Sequence, residues 1–128
     1  MLAPGGWLYL AEGHPSTLSL EEVDRRLVAS GSWRTQPAAP FVYDDPTTYT
    51  GDSTPLAHPR SYEWCHPLSD IIGTLLESGL RLDFLHEHET LPWRHFPMMV
   101  PDGKRLYRLP KDHPRLPLAF PLRATKPG

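Results

Sequence analysis

The chain has 128 residues, enough for one domain with a real core, and its 16 prolines and 9 glycines, about a fifth of the total, predict a few regular elements joined by long Pro-punctuated excursions. A net charge of -2 with dispersed Arg and Lys excludes a basic field for nucleic acid and a polybasic stretch for a membrane surface. No apolar run approaches the roughly 18 residues of a membrane span, no leader pattern opens the chain, and the single Cys65 forbids an internal disulfide, so a cytoplasmic protein is expected.

Pro4-Gly5-Gly6 reads as a tight turn feeding Trp7 to Glu12, a nearly continuous apolar run that predicts a strand buried on both faces. Such a strand belongs inside an open α/β sheet, so its neighbours on one side are expected from residues encoded ahead of it. Gly13-His14-Pro15 ends it. Ser19 as N-cap, Glu21 and Glu22 in the first turn, and an apolar stripe of Val23, Leu27 and Val28 predict a short helix to about Ala29.

Residues 30–61 form an irregular insertion. Phe41 to Tyr43 and Thr47 to Thr50 are strand-like and predict a small hairpin or edge strands, and Arg60 to Trp64 predicts another extended piece. Pro67 to Ser78 is the clearest helix: Leu68, Ile71, Ile72, Leu75 and Leu76 fall on one face that packs on a sheet, and Gly79 is its left-handed stop. Leu80 to Glu87 follows as a strand, and helix, glycine, strand is the second half of a βαβ crossover. Residues 97–110 predict a hairpin turning at Asp102-Gly103. The last strand, Leu116 to Thr125, contains Pro117 and Pro121, so it is expected to start late or to have one poorly paired edge.

The turn and strand Leu2 to Leu10 resemble the Leu-x-Pro-Gly-Gly turn and fifth strand of class I S-adenosylmethionine-dependent methyltransferases. Tyr62-Glu63-Trp64-Cys65-His66 leading into the helix, the Gly79-Leu80-Arg81 strand start and the closing Leu116 to Lys126 are similar to the fifth helix, sixth strand and antiparallel seventh strand of a bacterial small-molecule-type branch of that family. The resemblance implies an α/β fold: the C-terminal half of a Rossmann-like methyltransferase sheet, with strand seven between five and six, a main helix and irregular β insertions. It implies one partial domain over residues 1–128, the substrate-side half. No Gly-x-Gly-x-Gly occurs in the chain, so no cofactor-binding residue is assigned. S-adenosylmethionine is the cofactor of the complete family domain, and the isolated chain is expected to be inactive.

In open α/β sheets ligands bind beyond the carboxyl ends of the parallel strands. On that geometry Glu12 and His14 at the end of the first strand, Tyr62, Trp64 and His66 at the helix N-terminus, and His86, His88 and Trp93 after the second parallel strand are the candidate substrate-binding residues, with Glu63, His95 and Phe96 on the same rim. Aromatic walls supply packing and a His or Glu can take a proton; no residue is singled out as catalytic. Cys65-His66 with His86 and His88 offers four ligands suited to zinc, but adjacent Cys and His chelate poorly and no second Cys completes a pattern, so no metal site is assigned. The expected partners are a small-molecule substrate and either an upstream half or a second copy, paired along the Trp7 to Glu12 edge. The alternative to an enzyme fragment is a non-catalytic binding or assembly module that uses that edge.

Overall fold

The structure, a computed structural model, describes residues 2–47 and 54–128. Four small sheets account for its strands, and every ladder among the described residues is antiparallel. The first sheet joins β1 (Trp7–Gly13), β10 (Ala119–Thr125) and β6 (Arg81–Leu85) in the order β1-β10-β6. β10 runs antiparallel to both neighbours, so β1 and β6 point the same way without touching. This places the closing segment between the other two, the order expected for these three.

The class expectation is overturned. A Rossmann-like α/β sheet needs parallel strands paired directly and helices on both faces, whereas this chain has ten strands and two helices among its described residues and no parallel pair. The reading of β1 as a strand buried on both faces also fails. Among the described residues β1 pairs on one edge alone, and Trp7 and Tyr9 stand 55% and 52% exposed. An apolar strand is buried only if something lies against each face, and five of the seven residues of β1 are exposed.

The second correction lies just after β1. Instead of a helix from Ser19 to Ala29, a one-turn helix α1 (Pro15–Leu18) comes first, with Ser19 as its C-cap, followed by a hairpin of β2 (Leu20–Val23) and β3 (Arg26–Ala29). Asp24 and Arg25 both take left-handed backbone angles, φ 49° and 59°, the signature of a two-residue type I′ turn. The hairpin turns Leu20 and Leu27 onto the core and leaves Val23 and Val28 outside, splitting the stripe that a helix would have kept together. Glu22 accepts the Met98 N–H at 2.8 Å, tying the hairpin's inner face to that core.

In the insertion, β4 (Phe41–Asp44) pairs with β5 (Arg60–Glu63); Thr47 is not in a strand, and residues 48–50 of the expected second strand lie outside the described residues. The main helix α2 spans Leu68–Glu77, with Pro67 one position earlier than expected, as N-cap. Its end forms a Schellman motif: Gly79 at φ 74° donates to Leu76 O at 2.9 Å and Leu80 to Leu75 O at 3.0 Å. No α2 residue is fully buried, and Leu76 is 54% exposed.

The core lies elsewhere, against a sheet of β7 (Thr90–Leu91), β9 (Leu106–Arg108) and β8 (Val100–Asp102). Leu91, Phe96, Met98, Met99, Leu109 and Leu118 form its centre, with Leu20 and Leu27 packed on them. The hairpin expected over residues 97–110 is present as β8 and β9, with Gly103 left-handed in its turn. β10 starts late, as expected, yet both its edges are paired. Pro121 is accommodated because its carbonyl still accepts the His86 N–H at 2.9 Å and the β6 ladder starts at Leu122, with a register shift between Arg123 and Ala124. No helix among the described residues is long and apolar enough to cross a membrane.

Candidate functional site

Because β1 and β6 run in the same direction, their carboxyl ends lie on one side, and His14 ties them. Its Nδ1 accepts the Ser16 N–H that opens α1 at 3.2 Å, which assigns the ring proton to Nε2, and Nε2 donates to Glu87 at 3.0 Å. The ring meets Phe120 edge-on at 6.1 Å. His14 is therefore a clasp whose two nitrogens are already engaged.

Three cavities open at this end, and Glu12 lines all of them. The first, about 360 Å³, is largely apolar; Glu12, His88 and Trp93 stand in its wall with Tyr9, Phe120 and Pro121. The second, about 640 Å³, has a more polar lining than the first. It sets Glu12 and Trp93 beside Glu63, His95, Tyr43 and Arg60. The third, about 350 Å³, brings Glu12 to Trp64 and His66 under Ile71 of α2. Five of the eight expected residues thus gather around Glu12.

The other three do not. His14 is the clasp. Tyr62 sits in β5 opposite Val42, 55% exposed, because the β4–β5 hairpin carries it away from the rim. His86 stacks on Phe84 at 4.8 Å and meets His88 edge-on, outside these cavities. Trp64 keeps a place in the third cavity, with its indole N–H donating to Pro37 O at 3.1 Å.

The structure also adds residues that strand-end geometry left unassigned. Tyr43, His58 and Arg60 reach the polar cavity because β4 and β5 fold back over the end of β1. His95 and Glu63, on the expected rim, take on a more definite role. Burial holds the His95 imidazole below its ordinary range, only partly offset by its hydrogen bond to the Thr17 carbonyl and by the charge of Glu63. A neutral ring that donates one N–H to a carbonyl keeps its other nitrogen as a proton acceptor. Burial, with Glu63, pushes the Tyr43 phenol up, so it stays protonated. Gly13 is where Trp93 closes on the strand: a Cβ there would lie 3.4 Å from the indole.

Cys65 is buried and turned to the Pro15 and Trp33 carbonyls, and burial pushes its thiol up, which suits a packed hydrophobe and not a nucleophile. Among the described residues no group of three or more His, Cys, Asp or Glu side chains is placed to hold a metal ion.

No protein-family model, curated protein or solved structure matches this chain.

Proposed function

We propose that the chain is the substrate-side part of an S-adenosylmethionine-dependent methyltransferase acting on a small molecule in the cytoplasm, inactive without a cofactor-binding part. The observation that carries this reading is the edge of β1 left open among the described residues: a largely exposed apolar strand running directly into the rim where Glu12 and Trp93 line two cavities. Unpaired backbone groups on a long apolar edge call for another strand. A strand added there would extend the sheet beside the carboxyl end of β1, next to the candidate site. The sequence resemblance of β1, α2, β6 and β10 to the closing segments of such enzymes supports the same assignment.

The residues of this chain do not fit the cofactor by themselves. A nucleoside-binding turn needs glycines that let the backbone approach the ligand at a free helix N-terminus. The β1–α1 turn has a single glycine, and its helix N-terminus is already capped by His14; the segment from β5 to α2 has no glycine. What these residues do is bind and orient a substrate between apolar and polar walls, exclude water with Trp93 and Phe120, and hold a proton acceptor at His95.

Calorimetry tests this. S-adenosylmethionine is expected to bind the isolated chain more weakly than about millimolar. Joined to an in-frame segment encoded ahead of it that carries a strand, a glycine-rich loop and a helix, the chain is expected to bind the cofactor at about micromolar affinity. Micromolar binding by the isolated chain, or absence of such a segment, refutes the reading. The same open edge favours a second reading, a non-catalytic module assembled through β1 with another copy. Light scattering tests both: a stable dimer of the isolated chain supports the module, and a well-folded monomer counts against the module and against the open-edge argument for the first reading.

A further inference from the structure

The polar cavity carries an imbalance of charge that bears on its ligand. Arg60, the one Lys or Arg among the described residues of its wall, is engaged: its Nε and Nη2 donate to Asp44 at 2.8 and 3.0 Å. Asp45 is satisfied as well, accepting the N–H and hydroxyl of Thr47. The carboxylates of Glu12 and Glu63 have neither a hydrogen bond nor an ion pair among the described residues. Glu63 lines the cavity with Tyr43 and His95, and its charge acts on both. Beside these carboxylates stand the aromatic side chains of Trp93 and Tyr43, each partly open to solvent.

Two unpartnered carboxylates next to aromatic faces stabilise a positive charge twice over, by Coulomb attraction and by the ring quadrupole, and they disfavour an anion. A volume of about 640 Å³ accommodates a small organic molecule. We propose that this cavity takes a small molecule through a protonated amine, which binds the Glu12 and Glu63 carboxylates while its hydrocarbon part lies on Trp93 and Tyr43. This names the substrate class of the rim and so rests on the substrate-side reading above. His95 stands on the same wall.

Benzylammonium, benzyl alcohol and benzoate present one ring with a positive, neutral and negative head, and each is titrated into the full chain at neutral pH, followed by NMR of the Trp93 indole N–H and the His95 ring. Benzylammonium is expected to bind at about millimolar affinity, the range open to so small a ligand, about tenfold tighter than benzyl alcohol, with no shift from benzoate. Glu12 and Glu63 are exposed, so Glu12→Gln with Glu63→Gln leaves the fold intact and is expected to bring benzylammonium to the level of the alcohol. Asp112→Asn, outside this cavity, is expected to change nothing. Binding of benzoate as tight as benzylammonium, unchanged binding by the double variant, an equal loss in Asp112→Asn, or no shift with any probe overturns the proposal. The titration contains no cofactor. Failure here alongside cofactor binding by the joined polypeptide removes the amine assignment alone; amine selectivity with no cofactor binding removes the methyltransferase reading alone.

Discussion

β1 and β10 are seven-residue strands lying side by side, in register from Trp7 opposite Thr125 to Gly13 opposite Ala119, and both are mostly apolar. Yet Phe120, Leu122 and Ala124 are essentially inaccessible, while Trp7, Leu8 and Tyr9 are exposed. The difference lies in neighbours and not in composition. Among the described residues β10 has a strand on each edge, whereas β1 has one strand and an open side. Burial is a property of the whole arrangement and cannot be read from the composition of one strand.

The largest expected effect sharpens this contrast. Leu122→Ala should cost about 3 kcal/mol, because its cavity opens in a fully packed position, whereas Leu8→Ala, two ladder positions from it on β1, should cost under about 1 kcal/mol. Denaturant midpoints check both. If Leu8→Ala proves as costly as Leu122→Ala, β1 is covered in solution and the comparison breaks. Next in size is Gly6→Ala, at the turn that brings β1 alongside Lys126. A Cβ there would lie 2.8 Å from the Ala3 carbonyl oxygen, so a loss of about 1 to 2 kcal/mol is expected, read from the same melts.

A smaller effect belongs to the far end of β1. His95 has a folded midpoint below the ordinary imidazole value of about 6.5. Between those two values the unfolded chain binds more protons than the folded one. Its contribution is therefore fully present above pH about 6.5 and is lost as the pH falls toward the folded midpoint. His95→Gln should flatten the stability profile in that window, and Glu63→Gln should move the NMR midpoint of His95 further down by removing a favourable charge. Smallest is Tyr9→Lys, half exposed on β1. It is expected to shift stability by about 0.5 kcal/mol or less while abolishing any association through that strand, as read by light scattering.

Much of the secondary structure was legible because its signals are local. The Pro67 start and Gly79 stop of α2, the Asp102-Gly103 turn and the apolar runs of β1, β6 and β10 each depend on a few adjacent residues. The β2–β3 hairpin was not legible. Val23, Leu27 and Val28 fit a helix, and Asp24-Arg25 carries no glycine to announce two left-handed residues. At the site, strand-end geometry found Glu12, His88 and Trp93 and placed Glu63 and His95 on the rim. It did not name Tyr43 and Arg60 as cavity walls or foresee the bond of His14 to Glu87, because where a hairpin folds back, and which partner a histidine meets across the sheet, are long-range facts.

The sequence by itself determined the element boundaries that caps, turns and hydrophobic runs specify, because those are set within a few residues. Only the tertiary structure decided that the core sits under β7, β9 and β8, that β1 is an open border and that Glu12 stands at the meeting of three cavities. Burial, pairing and electrostatic surroundings depend on segments far apart in the chain, and no local pattern encodes which of them will meet.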